Sequence, residues 1–196
     1  MDWAFAGRAM YPDDPSGDAH VVCAAGDTIL VGVLDGRGHG PEAAEASSRM
    51  VDLIREAPDL ALDALLRRGD EALQGSRGTA VTLARIDRNT LEMTWIAVGN
   101  VVGARISRTG EVTRLPLTPG CSLAFHMGEP SAQTVPVAEG DLLVFATDGI
   151  ERDFVEKVDA AMSPEQIAAD VLKRCRKKTD DALVLAARLT TSARPP

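Results

Sequence analysis

Thr28-Ile29-Leu30-Val31-Gly32-Val33-Leu34-Asp35-Gly36-Arg37-Gly38-His39-Gly40-Pro41 changes character twice within fourteen residues. Its first half is apolar and rich in Val, Leu and Ile, the composition of a buried strand. A glycine-rich turn follows, and Pro41 suits the first position of a helix. Behind it Ala43, Ala46, Met50 and Ile54 recur at helical spacing, so a helix is predicted over about 41–56. An acid therefore stands where a buried strand ends and a helix has not yet begun.

Working outward, Ala19–Ala25 is a second apolar run, joined to Thr28–Leu34 through Gly26-Asp27, and the two read as a hairpin. Pro58 opens a second predicted helix with Leu62, Leu65, Leu66 and Leu73 on one face. Then come Thr79–Ile86, Leu91–Val98, Val101–Ser107 and Glu111–Leu115, short runs separated by Asp87-Arg88-Asn89, Gly99-Asn100 and Thr109-Gly110. The stretch Pro116 to Gly128 reads as a loop with a short strand. Gln133–Val137 and Asp141–Thr147 read as a hairpin turning at Glu139-Gly140. Ser163-Pro164-Glu165-Gln166 is a capping box that starts a helix carrying Ile167, Val171, Leu172 and Cys175. Ala182–Leu189 is the last strand. Hairpins dominate and strands do not alternate with helices, which favours two antiparallel sheets with helices outside over a doubly wound fold. A single domain is expected over 1–190, with a frayed tail at 191–196.

Composition narrows the function. The chain has 196 residues, 45% hydrophobic and only 4% aromatic, so its core must come from Ala, Val, Leu and Ile. Its formal charge of −8 disfavours nucleic acid or an anionic membrane as partner. Cys23, Cys121 and Cys175 lie far apart with no Cys-x-x-Cys, which fits a reducing cytoplasm. Every apolar stretch is too short to span a bilayer. The basic run Lys173–Lys178 reads as a solvated helix end. Cys23 reads as core, and His20 and His126 as surface or core histidines.

The acids fall in a pattern. Asp35 and Asp148 each end an apolar strand and precede a glycine; Asp18 and Asp180-Asp181 each begin one. In antiparallel sheets the end of one strand lies beside the start of its neighbour, so all of these acids can meet at one edge. Four clustered carboxylates repel unless cations neutralise them, and oxygen-only ligation suits Mg²⁺ or Mn²⁺ and not zinc. Any one Asp-Gly is a common turn. It is the combination, in this order, that points to a metal-dependent hydrolase.

Val33–Gly40 followed by Ala43-Ala44 resembles the first metal motif of the metal-dependent Ser/Thr protein phosphatases, and in particular their SpoIIE-like branch. Gly17-Asp18, Gly78-Thr79-Ala80, Val98-Gly99-Asn100, Ala146–Ile150 and Asp180-Asp181-Ala182 fall in that family's order, over about residues 15–190. The resemblance implies a four-layer αββα sandwich with two Mn²⁺ or Mg²⁺ ions. It implies that Asp35 bridges both, that Gly36 offers its carbonyl, that Asp18 serves one ion and that Asp148 and Asp180 serve the other. Asp181 is then an orienting residue, and Gly99-Asn100 a turn beside the site. In the wider family a histidine directly follows Asp-Gly. Here Arg37 holds that place and His39 comes two residues later, which leaves His39 either the acid for the leaving oxygen or a packing residue at the helix start. Arg37 reads as a solvated arginine within reach of a phosphate. The resemblance further implies a cytoplasmic, monomeric phosphatase acting through metal-activated water on a phosphorylated STAS-domain protein, of a stressosome or an anti-anti-sigma factor. A docking module without activity is the reading from another class. An anti-sigma kinase is disfavoured, because the residues before Asp35 read as strands.

Overall fold

A computed structural model describes residues 1–117 and 121–190. The expected tail at 191–196 and part of the 116–128 loop lie outside them. The ten strands are β1 (Asp2–Arg8), β2 (Asp18–Ala25), β3 (Thr28–Gly36), β4 (Thr79–Asp87), β5 (Glu92–Val98), β6 (Val102–Ile106), β7 (Val112–Arg114), β8 (Gln133–Pro136), β9 (Leu142–Ala146) and β10 (Ala182–Arg188). The helices are α1 (Pro41–Glu56), α2 (Leu62–Ala72) and α3 (Pro164–Cys175), with a short 3₁₀ turn at Phe154–Lys157. One five-stranded sheet runs β1-β10-β9-β6-β7 and the other β2-β3-β4-β5-β8. Every strand pairing is antiparallel.

Strict alternation along β3 explains the layering. Leu30 and Leu34 turn outward against α1 and α2, meeting Met50, Ile54, Leu65 and Leu66. Val31 and Val33 turn inward, where with Trp95 they face Phe145, Leu183 and Leu185 of the other sheet. On that sheet's outer face Val144, Val184 and Ala186 pack on Phe154, Ile167, Val171 and Cys175. Helix, sheet, sheet and helix thus make the αββα sandwich. Each fully buried Leu, Ile or Phe contributes about 1.5–3 kcal/mol, so these three clusters hold the layers together.

Local signals hold where they are strong. Helix α1 begins at Pro41 as expected and buries Ala43, Ala46, Met50, Val51 and Ile54 on one stripe. Ser163 and Gln166 form the reciprocal capping box of α3. Three expectations change. The second helix starts at Leu62 rather than Pro58, because Arg85 takes the carbonyls of Pro58 and Leu60 and holds that segment out of the helix. Gln133–Pro136 and Leu142–Ala146 are not a hairpin: β8 pairs with β5 and β9 with β6 and β10, so the Glu139-Gly140 turn carries the chain from one sheet to the other. Strand β1 was not expected, and it pairs with β10 from the far end of the chain. Among the described residues no helix is long and apolar enough to cross a membrane.

Candidate functional site

Inward-facing parity continues past the core to the strand ends, and there the apolar residues give way to acids. Asp18 lies directly opposite Asp35 in the β2–β3 register. Thr147, just after β9 in the other sheet, donates from Oγ1 to Asp18 Oδ2 at 2.7 Å. The same oxygen accepts from the Leu183 backbone N–H at 2.9 Å. This one hydroxyl ties the two sheets together at the rim. Asp148 follows at once, its Oδ2 accepting from Asn100 Nδ2 at 2.7 Å. Asp180 accepts from the Asp181 N–H at 2.9 Å. Asp181 itself is buried, and its two carboxylate oxygens accept from Met10 N and Gly17 N, both at 2.6 Å. It therefore fixes the backbone that carries Asp18.

Asp35, Asp148 and Asp180 line one groove of about 360 Å³, together with Arg37, Asn100, Ser122 and Phe125. A smaller groove of about 170 Å³ opens at the opposite end of the strands, against Met1, Ile29, Ile86 and Leu189, and contains none of these acids. Close backbone approach makes the acid rim possible. A Cβ built on Gly36 would stand 2.2 Å from the Ala43 carbonyl oxygen of α1, so only glycine fits there. Gly36 is buried, and its N–H donates to the Gly17 carbonyl at 3.0 Å.

Electrostatics record the crowding. Burial first, and then the Asp148 and Asp180 charges, push Asp35 up to about 8, with the Asp148 backbone N–H offsetting part of the rise. Asp18 is raised well above the usual carboxylate range by burial and then by Asp35. Asp180 is raised by burial first, with Asp148 and Asp181 adding to it. Ionising Asp35 here costs on the order of 5 kcal/mol more than in water, so the acids share a deficit of positive charge. The donor set is all oxygen, which suits a hard divalent cation. Among the described residues no three His, Cys, Asp or Glu side chains form a cage for one ion by themselves. A cation bound here would keep part of its shell as water, as Mg²⁺ commonly does.

A family model spans most of the chain, Asp35, Asp148 and Asp180 included. Stage II sporulation protein E (SpoIIE) aligns with residues 25–190. The chain belongs to that family. It is thereby a PP2C-type serine/threonine protein phosphatase. It is 23% identical over 175 residues to the phosphoserine phosphatase RsbX of Bacillus subtilis (strain 168), spanning 89% of this chain and 87% of that protein. Solved structures share its fold, and two of them are as follows. One belongs to work on the bacterial stressosome as a modular system controlling secondary messenger signalling, with a TM-score of 0.86 at 25% identity over 95% of this chain and 98% of the other. The second is RsbX in complex with magnesium, with a TM-score of 0.85 at 22% identity over 96% and 94%.

Not every residue singled out above sits in the phosphatase's groove in the same way. His39 is exposed and stands edge-on to Tyr11, ring centroids 5.3 Å apart. It is near enough to Asp180 to favour that carboxylate's ionised form. His20 meets the Phe5 ring, centroids 3.9 Å apart, and is not among the residues lining the groove. The basic run is more than a solvated helix end: Lys177 Nζ donates to the Asp148 carbonyl at 2.7 Å and Arg176 to the Ala9 carbonyl at 3.0 Å. Thr147, Lys177 and Phe125 are parts of the site that sequence reasoning did not single out. Thr147 had a signal, its place inside the Ala146–Ile150 motif. Lys177 and Phe125 had none, since only the folded chain brings Lys177 to the Asp148 carbonyl and Phe125 to the groove.

Proposed function

We propose that this phosphatase hydrolyses phosphoserine or phosphothreonine on a partner protein, with water as the nucleophile and no phosphoenzyme. The P–O bond to the Ser or Thr oxygen breaks as the bond from water to phosphorus forms, and the departing oxygen takes up a proton. The observation that carries this reading is the convergence of Asp18, Asp35, Asp148 and Asp180, drawn from both sheets, on one rim. Two divalent cations, Mn²⁺ or Mg²⁺, fit that charge, and when bound they acidify a water and offset phosphoryl charge.

In this reading Asp35, Asp18 and the Gly36 carbonyl would hold one cation, and Asp35 with Asp148 and Asp180 would hold the other. Thr147 and Asp181 keep the Asp18 segment in place, while Asn100 and Lys177 keep Asp148 in place through its side chain and its carbonyl. His39, close to Asp180 at the rim, is the group that supplies the proton to the leaving oxygen. Similarity to RsbX and to a stressosome protein supports a phosphorylated STAS-domain protein as substrate, of a stressosome or an anti-anti-sigma factor.

The test is phosphate release from such a phosphoprotein with Mn²⁺ or Mg²⁺ present. Asp35→Asn and Asp148→Asn should each abolish it while circular dichroism shows the fold intact. Undiminished turnover in either variant rejects the reading. A wild-type chain that docks on the partner yet releases no phosphate would instead be a binding module.

A further inference from the structure

The groove that holds the acids is walled by a cation and an aromatic ring that the reaction so far leaves unused. Arg37 is the one basic side chain among the described residues lining it. Its guanidinium carbon lies 4.6 Å from the centroid of the Phe125 ring. Among the described residues no carboxylate lies within ion-pair distance of Arg37, although the neighbouring Arg77 pairs with Glu42 at 2.6 Å. A cation left without a carboxylate beside three acids, and parked on a ring face, is placed to meet an anion that arrives.

Phe125 is costly to present. It is 58% exposed, on a turn from Ser122 to His126. Ala124 in that turn has φ of 74°, a left-handed conformation that costs a non-glycine residue about 1–2 kcal/mol. Hydrogen bonds within the turn and to its neighbours hold it regardless. The Leu123 N–H donates to the Thr79 carbonyl at 3.0 Å and the His126 N–H to the Ser122 carbonyl at 3.1 Å. The Ala124 N–H donates to Asp70 Oδ1 at 2.8 Å. On the opposite side the Arg37 N–H donates to the Gly78 carbonyl at 3.1 Å, and Gly78 packs directly beneath the Phe125 ring. Both halves of the pair thus stand on fixed backbone, and strain of this kind collects where a side chain must be held for use.

We infer that Arg37, held over the Phe125 ring, is the phosphate-binding arm of the groove. Its planar fork donates to the non-bridging oxygens of a phosphomonoester, and the open edge of the ring packs on the peptide flanking the phosphorylated residue. Arg37 touches substrate; Phe125 acts through it as a positioning residue. The inference rests on the phosphatase reading, and its test separates the two.

The full-length, Mg²⁺-loaded protein is titrated calorimetrically with inorganic phosphate, and hydrolysis of a phosphoserine peptide is followed in parallel. Arg37→Ala should weaken phosphate binding and raise KM by about ten- to hundredfold, the worth of hydrogen bonds to a charged group, with kcat falling far less. Arg37→Lys should recover part of that loss, having the charge without the fork. Phe125→Ala should weaken both by about two- to fivefold, the worth of an exposed cation–π contact. Mg²⁺ titrations should be the same in all four proteins. Phosphate affinity unchanged in Arg37→Ala, or absent from wild type, overturns the inference, as does a loss confined to kcat. Should wild type bind phosphate yet hydrolyse no phosphoserine, the phosphatase reading fails, and the affinity difference between wild type and Arg37→Ala still decides the role of Arg37.

Discussion

Asp35 meets Asp18 across one pair of strands and shares a groove with Asp148 and Asp180 across the sandwich, so its proton reports on all of them. Its carboxyl is raised to about 8 in the folded protein from an ordinary value of 3.8, by burial first and then by its neighbours' charge. A folded-state value above the unfolded one means that the native protein binds the proton more tightly. The stability this contributes is full below the unfolded value and is lost as pH rises through the folded one. Asp18 and Asp180 shift in the same direction. The metal-free protein should therefore have a lower urea midpoint at about pH 8.5 than at about pH 5.5. In Asp35→Asn the gap should shrink. A wild-type midpoint that is flat, or that climbs between those pH values, would show that the acids do not strain one another.

At the scale of elements, the rim depends on how closely the end of β9 approaches the start of β10. A Cβ built on Gly149 would lie 1.8 Å from the Asp181 carbonyl oxygen, which is backbone and has nowhere to go. Gly149→Ala should destabilise by about 1–3 kcal/mol or more by urea denaturation and should also weaken metal binding, because Asp148 and Asp181 move with it. A variant as stable as wild type would show that this approach is not needed. The same junction marks what could be read from sequence. Strands β2, β3, β9 and β10 show themselves as apolar runs bounded by turn residues, and the four acids at their ends follow from that reading. Strand β1, Asp-Trp-Ala-Phe-Ala-Gly-Arg, is short of β-branched residues, and its partner β10 begins only at Ala182. The β8–β9 turn has hairpin chemistry yet joins two sheets, since local turn preference says nothing about which strand lies alongside. Thr147 reaches Asp18 across 129 residues of chain, so its motif marks the residue but not its partner, and Lys177 reaches Asp148 across 29 with no local signature at all.

Seen whole, the molecule is an acidic shell, formal charge −8, around a sandwich whose three apolar clusters leave one rim to carboxylates. Folding gathers those acids at a cost, and a divalent cation that binds only the folded rim stabilises it in proportion to its concentration over its dissociation constant. Cation and proton compete for the same oxygens, so binding must release protons. The decisive measurement is a calorimetric titration of the metal-free wild-type protein and of Asp35→Asn with Mn²⁺ near neutral pH, repeated in buffers of different ionisation enthalpy. Saturable binding by wild type with proton release, lost in Asp35→Asn, is the predicted result. No saturable heat at millimolar Mn²⁺, or equal binding by the two proteins, would contradict it.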